Sequence, residues 1–184
     1  MLHDLVTRAM NGDEEAFASL TAAVGDHSMA IAFRILRDVD LAEDAVQTAM
    51  VTAWRQLRSL REPERFEAWL HRLLVRSCYQ EAGRVRRRAR GMVDLDSAGD
   101  TSPDALLNVH DRDELERAFR KLPADQRAVL VFRYYLGLTV PEISERLGIP
   151  EGTAKSRLHY ATTAMRAALE ADARVPGITR ERSA

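Results

Sequence analysis

The sequence predicts an all-α protein of two small helical domains joined by a flexible acidic linker. Three observations carry that expectation. Apolar residues recur at three-to-four spacing through most of the chain, and no alternating run of useful length occurs. Aromatic residues make up only 6% of the sequence, which argues against a dense β core. Residues 91–105, by contrast, are rich in Gly, Ser, Asp and Pro and poor in large apolar side chains. With 184 residues, 46% hydrophobic and 30% charged, the chain has room for one compact domain or two of roughly 80 residues each.

Taken in order, Asp13-Glu14-Glu15 opens a helix that runs through Leu20, and Met29 to Leu36 makes another. Leu41, Ala45, Val46, Ala49, Met50, Ala53, Trp54 and Leu57 form one stripe, with Asp40 and Glu43 spaced as a capping box at its start. Phe66, Trp69, Leu70, Leu73, Leu74 and Cys78 form the next, so the first domain spans 1–90. Beyond the linker, periodicity resumes at Leu106 and continues through Leu115, Phe119 and Leu122. Pro123 opens a helix carrying Val129, Phe132 and Tyr135, and Gly137 closes it. The second domain spans 106–171, followed by a polar tail, 172–184, that contains Pro and Gly.

A net charge of −1 hides segregated charge. Arg55 to Arg90 holds eleven arginines against four acids, Met1 to Met50 nine acids against three arginines, and 91–116 eight acids against one arginine. Blocks of opposite sign point to a polyanionic partner at one surface and a different partner at another. Arginine outnumbers lysine 25 to 2, which suits bidentate phosphate contacts and equally reflects genomic composition.

Several function classes drop out. The lone cysteine, Cys78, makes neither an intramolecular disulfide nor a thiolate zinc site. No signal-peptide pattern and no stretch of ~18 apolar residues occurs, so the expected location is cytoplasmic, without membrane insertion. His3, His27, His71, His110 and His159 form no metal-spaced pair, and no phosphate loop is present. The acid pairs Glu14-Glu15 and Glu43-Asp44 read as first-turn helix charges. The expectation is a non-enzyme with no metal and no cofactor.

The chemistry gathers near the C-terminus. Thr139-Val140-Pro141-Glu142 is a capping box with proline in the first turn, opening a short helix that buries Val140, Ile143 and Leu147 and stops at Gly148. Ile149 to Thr153 turns the chain into a second helix with Ala154, Leu158, Ala161, Met165 and Leu169 on its core face. Two helices joined by a short Gly-containing turn form a helix-turn-helix. The outward face of the second then carries Thr153, Lys155, Ser156, Arg157, His159 and Tyr160 near its N-terminal end, where a major-groove helix keeps its base-reading side chains.

LTVPEISERLGIPEGTAKSRLHYA, preceded by LPADQRAVLVFRYYLGL, resembles region 4 of the extracytoplasmic-function (ECF) sigma factors. Independently, AEDAVQTAMVTAW resembles their region 2.2 and FEAWLHRLLVRSCYQEAGRVRRR their regions 2.3 and 2.4. The resemblance covers roughly residues 10–170 and places two motifs in the family's order.

It implies a dissociable promoter-specificity subunit of bacterial RNA polymerase. Region 2 would bind the clamp of the β′ subunit, grip the −10 element and help open the duplex. Region 4 would bind the flap of β and read the −35 element. Carried over residue by residue, Asp44, Gln47, Thr48 and Trp54 would meet the clamp. The loop Arg61 to Arg65, with Phe66 and Arg76, would hold the −10 strand, and Arg84, Arg86, Arg87 and Arg88 would track its backbone. Holding single-stranded bases is worth about 1–3 kcal/mol per stacked base, the scale that opening without ATP requires. Trp54 and Trp69 sit in apolar stripes, so core packing is the simpler reading of each. Thr153, Lys155, Ser156, Arg157, His159 and Tyr160 would enter the −35 major groove. An anti-sigma factor is the further partner the family implies.

Departures fall on partner surfaces. Thr48 stands where many relatives have an acid and Met50 where they have an aromatic; Arg76 replaces a common asparagine and Tyr160 a common arginine. They bear on promoter sequence rather than activity class. The alternative reading is a free-standing helix-turn-helix regulator, but nothing resembles a dimerising coiled coil or a ligand pocket, and the arginine-rich first domain would have no role.

Overall fold

The computed structural model describes residues 1–91 and 109–173, with side chains over 1–88 and 115–170, and among these residues there is no strand. Helix α1 (Leu2–Met10) leads to α2 (Glu14–Leu36) and α3 (Val39–Gln56). Two 3-10 turns, Leu57–Ser59 and Pro63–Arg65, precede the long α4 (Phe66–Gly91). The second half contains α5 (Val109–Lys121), α6 (Ala124–Leu130) running into a π turn (Val131–Tyr135), α7 (Val140–Leu147) and α8 (Glu151–Ala173). Apart from Gly91, the acidic linker expected over 91–105 lies outside the described residues. So does the tail expected over 172–184, save for 172 and 173, which continue α8.

Local chemistry sets the helix ends. The Asp13 carboxylate accepts the Ala16 amide at 2.9 Å and caps α2. The two helices expected between Asp13 and Leu36 are one, of 23 residues. Gly25 lies between the two expected segments, and a glycine costs about 1 kcal/mol inside a helix. Leu20 on one side and Ile31, Ile35 and Leu36 on the other are buried along the continuous helix, and that packing outweighs it. Helix α3 starts before the expected capping box: Asp38, not Asp40, accepts the Leu41 amide at 2.9 Å.

Arg37 ends α2 in the left-handed region, φ 60°, unusual for a residue with a Cβ. Its guanidinium reaches across to α5, where Nε donates to Glu116 Oε1 at 2.8 Å.

Burial follows two clusters. One belongs to the first half alone: Val6, Leu20, Leu57, Phe66 and Leu70 close α1 to α4 on one another. The other crosses between halves. Ile31 and Ile35 of α2 and Leu74, Val75 and Cys78 of α4 share it with Val129, Phe132, Ile143 and Ala161. The helix-turn-helix is thereby seated against α4.

Candidate nucleic-acid interface

Helix α7 is held by its own ends. The amide and hydroxyl of Thr139 both donate to Glu142 Oε2, at 2.7 and 2.6 Å, which draws that carboxyl below its ordinary range. At the other end Gly148 takes φ 65°, while the Ile149 amide donates to the Ser144 carbonyl at 3.1 Å. Ser144 Oγ returns a bond to the Ile149 carbonyl at 2.6 Å, so the turn into α8 is closed from both sides. The first turns of α8 then expose Lys155, Ser156, His159 and Tyr160, with Thr153 half-buried beneath them. The rings of His159 and Tyr160 meet edge-on, centroids 5.8 Å apart, and Tyr160 is 63% exposed.

Arg157 departs from the expected outward position. It lies three residues after buried Ala154 and four before buried Ala161, so the helix carries it towards the core flank. There it is half-buried and pairs with Asp125 of α6 at 3.3 Å.

The arginine-rich side lies on α4 and the turns before it. Arg61, Arg65, Arg76, Arg86, Arg87 and Arg88 are exposed. Arg84 is exposed too, but one of its nitrogens answers the buried carboxylate of Glu81 at 3.0 Å, so this member of the run has a structural task. Ser59 to Glu62, Arg65, Ala68, Trp69 and Arg72 surround a cleft of about 330 Å³, which Glu145 of α7 also lines. Phe66 is not in it. That ring is 4% exposed and packs in the first-half core, because positions 66, 70 and 74 share the inward stripe of α4. Trp69 is half-buried: it leans on that core, 6.0 Å from Phe66, and also forms a cleft wall.

Arg72 is one of the eleven arginines between 55 and 90 and is not among the expected site residues, although its spacing from Trp69 and Arg76 puts all three on one face. It donates from Nη2 to the Glu145 backbone carbonyl at 2.7 Å. Arg65 Nη2 donates to the Glu145 carboxylate at 2.5 Å, which holds that carboxyl below its ordinary range and raises Arg65. Beside them Arg146 reaches Glu67 at 3.1 Å and His71 Nδ1 at 2.9 Å. Pairs joining residues more than seventy positions apart leave no periodic trace in a sequence.

A separate face belongs to α3. Asp44, Gln47 and Thr48 are exposed there, followed by Val51 at 43% and Trp54 at 41% exposure. The Trp54 ring leans on Phe17, centroids 4.7 Å apart, so it is part packing and part surface. Between α2, α5, α6 and α8 lies an open groove of about 810 Å³, lined by Phe119, Leu130, Tyr134, Met165 and Leu169 with Arg34 and Arg166 among its walls. The π turn that ends α6 carries Tyr134 outward to 70% exposure. Among the described residues no group of His, Cys, Asp or Glu is placed to hold a metal, and no helix is long and apolar enough to cross a membrane.

Known proteins share both halves. The family described as Sigma-70 region 2 matches residues 21–91, and that described as Sigma-70, region 4 matches 112–165. ECF RNA polymerase sigma factor SigL of Mycobacterium tuberculosis is 34% identical over 168 residues, 88% of this chain and 95% of that one. ECF RNA polymerase sigma factor SigW of Bacillus subtilis is 27% identical, covering 90% and 95%. Among solved structures, CnrH in complex with the cytosolic domain of CnrY superposes with a TM-score of 0.63 at 26% identity, covering 92% of this chain and 97% of that one. The sigma factor RpoE of Bartonella quintana, in complex with the anti-sigma factor NepR, shares the fold at 24% identity and a TM-score of 0.66, covering 85% and 98%.

Proposed function

The chain belongs to the extracytoplasmic-function sigma factors, and from that membership we propose how its surfaces divide the work. A sigma factor binds core RNA polymerase and directs promoter-specific initiation through the −10 and −35 elements; the open question is which residues do each task. The first half, 1–90, and the second, 106–171, act as the family's regions 2 and 4 on either side of the linker. The exposed α3 face, Asp44, Gln47 and Thr48 with Val51 and Trp54 beside them, docks on the clamp of β′. The groove walled by Phe119, Tyr134, Met165 and Leu169 receives the flap of β. An apolar floor with arginines on its walls suits a helix bearing apolar and acidic side chains.

DNA is met in two places. Lys155, Ser156, His159 and Tyr160 enter the −35 major groove, where the positive end of the α8 dipole favours phosphate. Thr153 supports their first turn, and Arg157 joins them only after leaving Asp125. The cleft between Ser59–Arg65 and α4 takes a −10 base turned out of the stack, with Trp69 as a wall and Arg61, Arg65 and Arg72 for phosphates. Arg76 and Arg86 to Arg88 continue the cationic track. Phe66 supports the cleft from the core. The chain works in the cytoplasm without a catalytic centre, metal or cofactor of its own, and an anti-sigma factor opposes it by covering these same faces.

One observation carries most of this reading. The arginine-bearing walls of the cleft and the exposed first turns of α8, with Lys155, are separate surfaces whose residues lie in the two segments that match the two sigma regions in family order. It is tested by mixing the purified chain with core polymerase stripped of its initiation factors and following co-elution on gel filtration. Co-elution is expected, and the Asp44→Ala, Gln47→Ala double variant should bind about tenfold more weakly. A folded double variant that binds as well as the parent would remove α3 from the contact; no binding by the parent would sink the reading.

A further inference from the structure

We propose that the pocket between the later turns of α4 and the junction of α5 with α6 binds a nucleoside di- or triphosphate, a small-molecule ligand distinct from polymerase and promoter DNA.

Shape comes first. The two elements enclose about 730 Å³, a volume in the range of small-molecule sites and far larger than a single ion needs. Tyr79, Ala82 and Gly83 of α4 line it on one side, and Leu122, Pro123 and Ala124 on the other. An aromatic ring and small apolar side chains, with leucine and proline across from them, suit the flat face of a base.

Charge then selects what the base must carry. Arg86 and Arg87 reach the pocket from the first half and Lys121 from the second, and none of the three has an ion-pair partner among the described residues. Arg87 folds back along its own helix to do so: its Nη1 would lie 3.4 Å from a Cβ on Gly83. The only acid among the lining residues is Asp125, and Arg157, outside the pocket, already answers it at 3.3 Å. Cations contributed by both elements match the spread charge of two or three linked phosphoryl groups better than the single charge of a backbone phosphodiester.

A further donor is unspent. The Tyr79 hydroxyl is buried and has no hydrogen-bond partner among the described residues, which is unusual for a buried polar group. Lys121 is the discriminating residue. It is exposed at the end of α5, so replacing it leaves the fold intact, and it belongs to neither DNA surface described above.

The full chain is titrated calorimetrically with ATP, ADP, AMP and tripolyphosphate at about 0.15 M salt. ATP should bind, ADP less tightly, and AMP and tripolyphosphate each about tenfold more weakly or worse, the one lacking charge and the other a base. Lys121→Ala should weaken ATP binding by about tenfold, and Lys121→Arg should retain it. Arg55→Ala, which removes an exposed cation from α3, should leave it unchanged. ATP should also raise the thermal midpoint of the parent chain, and raise that of Lys121→Ala less.

No ATP binding by the folded parent overturns the site. Tripolyphosphate binding as tightly as ATP overturns it too, because the pocket would then be an anion patch with no place for a base. Equal losses in Arg55→Ala and Lys121→Ala would reduce the effect to overall charge. A random single-stranded oligonucleotide whose affinity falls tenfold in Lys121→Ala, with ATP unbound, would assign the pocket to the DNA path instead.

Discussion

His71 is 2% exposed, its ring edge-on to Phe132 with centroids 5.4 Å apart, and Arg146 donates to its Nδ1. Arginine has no acceptor, so Nδ1 must accept and the ring proton sits on Nε2. Burial, and after it the charge of Arg146, push this histidine down from 6.5 to about 4, against a weaker pull from Glu67. In the unfolded chain the ring takes its proton near 6.5; in the folded chain only near 4. Between those limits the unfolded state binds more protons, so stability falls as pH drops through the window and is unaffected by this group outside it. The expected loss is of order 3 kcal/mol. Urea midpoints measured above and at the bottom of the window should show it, and His71→Gln, which keeps an acceptor without a titration, should lack that share. Parallel curves for parent and variant would contradict the assignment.

At the scale of the element, the helix-turn-helix depends on Gly148. Its φ of 65° is costly for a residue with a Cβ, and the three atoms nearest to that Cβ belong to the flexible Arg72 side chain. Backbone strain should therefore dominate in Gly148→Ala, with a loss of about 1 kcal/mol, and Gly148→Asn should recover part of it because asparagine tolerates this region. Thermal denaturation of the two variants checks the order; equal losses would point to the Arg72 contact instead. The same scale explains why α3 starts where it does. Asp40 and Glu43 have capping-box spacing, yet Asp38 is extended, φ −147°, and two residues nearer Arg37, where the left-handed turn redirects the chain. A cap is chosen by where the backbone leaves helical geometry, not by side-chain spacing alone.

At the scale of the whole molecule, the halves are joined because their largest buried cluster is common property. Phe132 is fully buried within it, and Phe132→Ala should cost about 3–5 kcal/mol. Since that ring packs against α4 as well as its own half, calorimetry of the parent chain should record one unfolding transition. Two separated transitions would show that the halves unfold independently and that their contact contributes little. Ion pairs alone would not give such coupling: Arg37 with Glu116, Arg65 with Glu145 and Arg146 with Glu67 each have at least one partly exposed member.

By itself the sequence determined what local physics encodes: helices from apolar spacing, the Thr139–Glu142 cap, the Gly148 turn, and the exposed faces of Asp44 and Gln47 and of Lys155 and His159. These depend on neighbours within a few residues, so their signals lie in one short window. Tertiary structure decided the rest. Arg157 lies on a flank between the buried and exposed faces of α8, and only packing sends it to Asp125. Gly25 invites a break that burial on both sides of it overrides. Above all, whether the second half covers the first is a sum of Glu145, Arg146 and Phe132 meeting residues some sixty to eighty positions away. Contacts at that separation exist only once the chain is folded, since each needs both surfaces already built.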